Sequence, residues 1–433
     1  MSLWYSLAVS SNDAAPDLES ELAAANQAIE NLIKEVAANE SRANALSENA
    51  WRWVFRYRRI QQEYLAPVYK ALRRLTRGGG GVSPGLPGHT NGTSSSVAQA
   101  DTMLNKLLAL ARNELRHGRS NAAISVAQLV ADRFPGNEAA QRLLALVESL
   151  ERNGNPAPSQ RAQQHLALGQ AHYILGENDA AASNYEAALT FNRDLPDAHS
   201  GLAAIKLPGM PYLDWLKKFY ARLKPKNVIE IGVSQSASLA CVPRPTVAIG
   251  VDPVPSVIFP LQTEAHIFAE TSDEFFEQRD VGALLRGEPL SIGFIDGSHL
   301  FEQALRDFMH LERYCGPKSV ILFHDTVPLD EVTQRRAPET HFSTGDVWKT
   351  ILCLKHYRPE LDVFTIATPP TGLTVVLGLD PSSPVLAQKY DEAVARFIDV
   401  PFAEIESRLA AELNLVPNEW ETVDQHLTAK GIT

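Results

Sequence analysis

The stretch Val228-Ile-Glu230-Ile-Gly232-Val-Ser234-Gln-Ser236-Ala-Ser238 reads as a short buried strand running into a tight loop. Gly250-Val-Asp252-Pro253 closes a second strand 22 residues after Glu230. Working outward, Asn227–Ile231, Val247–Val251, Ala265–Phe268, Leu290–Ile295 and residues 319–323 are short apolar runs separated by helical stretches. Strands that are apolar on both faces must be covered on both faces, so this alternation predicts an α/β fold on a parallel sheet. Two further runs, 363–367 and Leu373–Leu377, flank Thr368-Pro-Pro-Thr-Gly372. A Pro-Gly loop between neighbouring strands predicts an antiparallel hairpin, with one reversed strand at the edge of a mostly parallel sheet.

The polar residues collect at the strand ends, where such sheets bind ligands. Gly232 would let the backbone approach a ligand, and the N-terminus of a following helix would offer N–H groups to a carboxylate. Asp252, at its spacing, can accept hydrogen bonds from both hydroxyls of a ribose, or it can be a plain turn residue before Pro253. Thr271-Ser272-Asp273 follows the third strand, Phe294-Ile-Asp296-Gly-Ser-His299 closes the fourth, and Leu322-Phe-His324-Asp325-Thr closes the fifth. Adjacent parallel strands would bring Asp296 and Asp325 together. Two such carboxylates repel unless a cation sits between them, and oxygen ligands suit Mg²⁺. His299 is either a base at that site or a residue opening the helix 300–314. Gly345-Asp346-Val-Trp348-Lys349 lies beyond an excursion over 327–344. It offers an aromatic face and polar groups to an acceptor, or else a helix start with Trp348 in the core.

Across residues 228–379 these motifs resemble the class I S-adenosylmethionine-dependent methyltransferases of bacterial glycan and lipopolysaccharide gene clusters. The likeness is carried by the Glu-x-Gly loop, Gly-Val-Asp, Asp-Gly-x-His before a helix with Arg306-Asp307, and His-Asp after the fifth strand. It implies a Rossmann-like methyltransferase sheet, whose hairpin a plain dinucleotide-binding fold lacks. It also implies S-adenosylmethionine as cofactor, with Glu230, Gly232, Ser234 and Ser236 around its amino-acid part, Asp252 on the ribose, and Thr271 and Ser272 at the adenine edge. Ser236-Ala237 replaces a later glycine of the family loop and narrows it. Asp296 and Asp325 resemble the metal carboxylates of catechol-type O-methyltransferases, and the Asp-x-x-His spacing resembles macrolide-sugar O-methyltransferases, whose histidine is the general base. Carried over, Asp296 and His299 are catalytic, and Asp296, Asp325 and His324 surround a divalent metal. His324 stands where the sugar enzymes place an acid, so it is a nitrogen ligand or the site is metal-free. The implied reaction is metal-assisted O-methylation of a sugar hydroxyl on a surface polysaccharide or its precursor.

The rest of the chain divides by composition. Residues 1–77 carry a heptad seam (Leu18, Leu22, Ala25, Ile29, Leu32, Val36, with Asn39 in register), which predicts a coiled-coil helix and a homo-oligomer, or one amphipathic helix folded back. Its end, 51–77, interleaves Arg52, Arg56, Arg58 and Arg59 with Trp51, Trp53, Phe55 and Tyr57. Such a helix can lie against an anionic membrane or be a solvated basic face. The pattern resembles the coiled coil and Trp-Arg stretch of bacterial surface-polysaccharide enzymes. Residues 78–97 read as a glycine- and serine-rich linker. Residues 98–207 place Ala111, Gly118 and Ala123, then Gly169, Gly176 and Ala181, at matching offsets. That spacing resembles tetratricopeptide repeats and implies a protein partner, or else unrelated helical hairpins. The methyltransferase-like domain is expected over 208–384 and a helical extension over 385–433.

Composition narrows the setting. A net charge of −11 argues against a nucleic-acid partner. Cys241, Cys315 and Cys353 are odd in number and widely spaced, which fits a reducing cytoplasm rather than a disulfide framework. The start of the chain lacks the basic region of a signal peptide, so a cytoplasmic protein, peripheral at the inner membrane face, is expected. The rival reading is a non-catalytic scaffold of polysaccharide assembly with a degenerate methyltransferase domain.

Overall fold

The structure, a computed structural model, describes residues 94–148 and 156–432. The expected coiled coil and basic segment lie outside the described residues, as does the linker up to residue 93. From Ser94 the chain is already helical.

Helices α1 (Ser94–Arg116), α2 (Ser120–Arg133), α3 (Glu138–Glu148), α4 (Pro158–Ile174), α5 (Asn178–Phe191) and α6 (Pro196–Lys206) follow one another. Apart from α3 and α4, sequence neighbours pack together, and α4 also packs on α1 and α2. The small residues singled out in the sequence sit at these contacts: Ala111, Ala123 and Ala181 are fully buried. A Cβ at Gly169 would stand 2.6 Å from the Tyr185 ring, and one at Gly201 2.4 Å from it. Thus α4 and α6 close on one aromatic residue of α5.

Helix α7 (Tyr212–Leu223) leads into the sheet, formed by β1 (Asn227–Ile231), β2 (Val247–Val251), β3 (Ala265–Phe268), β4 (Leu290–Ile295), β5 (Cys315–His324), β6 (Asp362–Ile366), β7 (Leu373–Leu377) and β8 (Leu415–Val416). Its order is β3-β2-β1-β4-β5-β7-β6-β8. The first five strands are parallel, and β7 runs antiparallel to both β5 and β6. This corrects the expected topology, because the reversed strand is internal. Its five residues are all buried and need ladder partners on both sides. Beyond it lie β6 and then β8, which pairs parallel to β6 and closes the sheet.

Side chains alternate across the strands into two cores. Ile229, Ile231, Ile249 and Phe323 pack under α9 (Phe301–Glu312), α10 (Trp348–Tyr357) and α11 (Val385–Phe397), following α8 (Ser272–Gln278) in the chain. Val228, Ala248, Phe294 and Leu322 pack under α7 and α12 (Trp420–Ala429). The residues after Pro384 therefore cover both faces of the sheet. Asn418 ties them to its front: Oδ1 accepts the Trp215 indole N–H at 2.7 Å, and Nδ2 donates to the Pro208 and Met210 carbonyls. Trp215 is fully buried. Asn418→Ala leaves that N–H without its partner and should destabilise the protein by about 1–3 kcal/mol, read as a lower urea midpoint at unchanged slope.

Candidate functional site

The site begins with the backbone of the first loop. Gly232 has φ of +91°, and a Cβ there would lie 1.9 Å from the Asp296 carbonyl oxygen. The Gly232 N–H donates to Val251 O and the Asp296 N–H to Ile231 O, each at 2.8 Å. The ends of β1, β2 and β4 are thus tied at a point only glycine can occupy. Ser234 and Ser236 take left-handed φ values of 44° and 64°. The expected helix after this loop is absent. One 3₁₀ turn, Leu239–Cys241, follows, and Pro243 and Pro245 stop it from continuing.

A cleft of about 780 Å³ opens at the carboxyl ends of the strands. Gly232, Ser234, Asp252, Thr271 and Ser272 line one part of it, and Asp296, His299, His324 and Asp325 line the other. Asp252 is held by two backbone donors, Ser234 N–H on Oδ2 at 2.8 Å and Val254 N–H on Oδ1 at 2.7 Å. Two of the sequence candidates are not in the cleft wall. Glu230 is fully buried behind it, accepting the Ser238 hydroxyl at 2.7 Å. Burial pushes its pKa well above the usual carboxylate range, against that hydrogen bond. Ser236 is also buried, its hydroxyl directed at the Gln235 and Phe259 carbonyls. Thr271 caps α8, where its Oγ1 accepts the Glu274 N–H and the Glu274 carboxylate accepts the Thr271 N–H.

Strands β4 and β5 are adjacent, and the residues at their ends meet. His299 Nε2 lies 2.9 Å from Asp325 Oδ2 and 3.8 Å from Asp296 Oδ1. Donor atoms of Asp296, His299 and Asp325 all fall within 4.8 Å of one another. His324 is outside that trio. Its Nδ1 is 3.1 Å from Asp296 Oδ1 and 3.3 Å from Asp325 Oδ2, and Nε2 is 3.3 Å from Thr371 Oγ1. Thr371 also donates to Asp325 Oδ1 at 2.6 Å.

Burial would raise both carboxyl pKa values, but the histidine charges overrule it: Asp296 is lowered, and Asp325 is held well below its usual range. Burial would likewise lower both histidines. The two carboxylates overrule it, holding His299 well above its ordinary value and pushing His324 up to about 10. His299 and Asp325 both have positive φ, 57° and 56°, a conformation the surroundings must impose on non-glycine residues.

The Gly345–Lys349 motif does not face an acceptor. Trp348 and Asp346 are fully buried and Lys349 nearly so. Asp346 Oδ1 accepts the Phe301 N–H at 2.8 Å, and Oδ2 pairs with Arg336 at 2.7 Å and Lys349 at 3.2 Å. A buried carboxylate needs that charge, so the motif anchors the start of α9 instead of recognising a sugar.

Two cleft residues escaped the sequence reading. Tyr212, first residue of α7, lays its ring over His324 with centroids 4.1 Å apart. Nothing in its local pattern signals this. Asp307 follows Arg306 in a motif that by itself assigns it no role. It is a carboxylate on the buried stripe of α9, and that mismatch was a usable signal. Its Oδ1 accepts the Ser272 hydroxyl at 2.6 Å and the Gln303 amide at 3.0 Å. Burial pushes its pKa up to about 6, against those hydrogen bonds.

Residues 230–326 match the model of a family described as a methyltransferase domain. No curated protein matches the chain. Similar solved structures include the O-methyltransferase from Bacillus cereus in complex with S-adenosylhomocysteine (15% identity, 41% of this chain and 86% of that one, TM-score 0.29). Another is the O-methyltransferase TomG from Streptomyces achromogenes, involved in tomaymycin synthesis, with S-adenosylmethionine (16%, 54% and 94%, TM-score 0.30). A third is the MycE methyltransferase of the mycinamycin pathway with Mg, S-adenosylhomocysteine and mycinamycin VI (16%, 49% and 63%, TM-score 0.28).

Asp307 makes stability depend on pH. Its folded pKa lies above the ordinary 3.8, so its contribution is complete below about pH 4 and is lost as pH rises through about 6. Asp307→Asn should remove that loss, on the order of 3 kcal/mol. Urea denaturation of both proteins between pH 4 and pH 7 should show the variant gaining on the wild type as pH rises. A constant difference would mean that Asp307 does not titrate in this window.

Proposed function

We propose that the chain is an S-adenosylmethionine-dependent O-methyltransferase acting on a sugar hydroxyl of a bacterial surface polysaccharide or its lipid-linked precursor. One observation carries the reading: a held carboxylate, Asp252, and an acid–histidine cluster, Asp296, His299 and Asp325, share one cleft at the strand ends. The residues fit the cofactor. Each Asp252 oxygen accepts one N–H and keeps a further lone pair for a ribose hydroxyl, and the backbone is bare at Gly232. They also fit a cation: the close acidic pair offers hard oxygen donors, with His299 beside them.

S-adenosylmethionine, when bound, supplies a methyl group on a sulfonium, and a divalent cation, when bound, supplies positive charge that acidifies a hydroxyl and balances Asp296 and Asp325. His299 takes the hydroxyl proton at Nε2. Its Nδ1 lies 2.8 Å from the Ser343 carbonyl and keeps its own proton there, which leaves Nε2 as the accepting nitrogen of the neutral ring. With the carboxylates uncompensated, Nε2 donates to Asp325 Oδ2 at 2.9 Å; a cation held by Asp296 and Asp325 would take up that charge and release Nε2 to accept. His324 and Thr371 hold the two carboxylates in place, and the Tyr212 ring shields His324 from water. In the same proposal, residues 98–207 form a tetratricopeptide-like partner surface.

Calorimetry should find S-adenosylmethionine bound, with Asp252→Ala weakening it by about 1.5–3 kcal/mol through lost charged hydrogen bonds. A wild-type protein that binds none would turn the reading to a non-catalytic scaffold. His299→Ala should lower turnover by roughly 10²–10⁴ while leaving cofactor affinity nearly unchanged. Excess chelator should abolish turnover and Mg²⁺ or Mn²⁺ restore it. Full rate in chelator would remove the metal and leave His299 as base.

A further inference from the structure

The excursion between β5 and α10 is bound at both ends to different parts of the molecule. Its end near the site fixes His299. The Ser343 carbonyl lies 2.8 Å from Nδ1, and the Asp346 N–H donates to His299 O at 3.2 Å. A Cβ at Gly345 would stand 1.9 Å from that same oxygen. Thus the left-handed backbone of His299 is pressed between three successive contacts of residues 343–346.

The residues just before this segment are fastened to the helical part of the chain. The His341 N–H donates to Asp194 Oδ1 at 2.7 Å, and the His341 ring meets Asp194 Oδ2. Phe342 stacks on His199 with centroids 5.2 Å apart and planes at 16°. Phe342 and Leu329 join Leu195, Ala198, Leu202 and Tyr185 in the apolar core of α4–α6. Arg193 pairs with Glu339 at 3.2 Å, and Lys206 donates to the Leu329 carbonyl at 2.8 Å. Ser343, which holds the imidazole, directly follows Phe342, which is held by the helices.

We propose that α5–α6 complete the active site from outside the sheet: Asp194 and Phe342 are positioning residues that, through Ser343, set the orientation of His299. This rests on the reading of His299 as the proton acceptor. The physical reason is that residues 327–347 contain no strand or helix of their own. Between them, Thr333–Thr344 (2.8 Å) and Arg336–Asp346 (2.7 Å) secure the segment on its far side, and the helical contacts tie 339–342, together with Arg335–Glu339 and the Thr340 hydroxyl on the Phe342 carbonyl (2.7 Å), to a part of the molecule outside the sheet. A displacement of about 1 Å of a proton acceptor is enough to cost on the order of a hundredfold in rate.

The test uses the full chain with ¹⁵N-labelled histidine, the His299 ring signals being assigned by their loss in His299→Ala. In the wild type the Nδ1 proton should be shifted downfield and exchange slowly with water. In Phe342→Ala and Asp194→Asn its exchange should quicken at least about tenfold, while Phe342→Tyr, which keeps the ring, should restore protection. Methyl transfer should fall about ten- to a hundredfold in kcat for Phe342→Ala, with cofactor affinity and acceptor KM unchanged and Phe342→Tyr rescuing it. Asp194 is exposed, so Asp194→Asn carries the test if Phe342→Ala fails to fold. Unaltered exchange in Asp194→Asn and in any folded Phe342→Ala overturns the proposal, as does a kcat loss that Phe342→Tyr does not rescue. A wild type with no methyl transfer would overturn the reading of the site alone, because the exchange comparison needs no turnover.

Discussion

Two carboxylates, Asp296 and Asp325, stand side by side in a largely buried place, and the rest of the structure answers to that. Unpaired buried charges cost several kcal/mol each, so the fold must bring counter-charge and hydrogen bonds to them. It does so from three directions, His324 from β5 itself, His299 from the loop after β4 and Thr371 from the hairpin loop, while Tyr212 from the helix before β1 packs its ring on His324. The sheet order makes this convergence possible. With β7 between β5 and β6, the 368–372 loop returns over the end of β5, where Thr371 can reach both Asp325 and His324.

The Gly232 side of the cleft is built on backbone geometry instead of charge. Gly232 at φ +91° lets β1 and β4 end against each other, and Ser234 and Ser236 continue the turn in left-handed conformations. The loop after Asp252 is laced to it, with Ser256 N–H donating to Ser234 O at 2.8 Å. The strand ends on the other half hold titratable groups, and the two halves share Asp296, whose backbone meets Gly232 while its carboxylate meets the histidines.

Much of the fold was legible in the sequence. Five strands, β1 to β4 and β7, have the expected bounds, because short, mainly apolar runs mark them in the sequence. The adjacency of Asp296 and Asp325 followed from the order of those strands. Strand β8 was not legible: two residues, half-buried, carry no periodicity, and only pairing with β6 defines them. The same limit hid the missing helix after Gly232 and the role of Asp346. A helix is stopped by prolines further along, and a buried aspartate is explained only by Arg336 and Lys349 folding onto it.

By itself the sequence determined the strands, the glycine turn and the residue types at the strand ends, because each depends on local pattern: apolar period, φ preference and spacing. Only the tertiary structure decided which of those residues face the cleft. Glu230 and Ser236 turn behind the wall, since alternation along β1 and a left-handed loop direct them inward. His299 comes to Asp325 instead of merely opening a helix, because residues 343–346 press its backbone into a conformation it would not adopt alone. That pressure comes from residues more than forty positions away in the chain, and no local pattern encodes it.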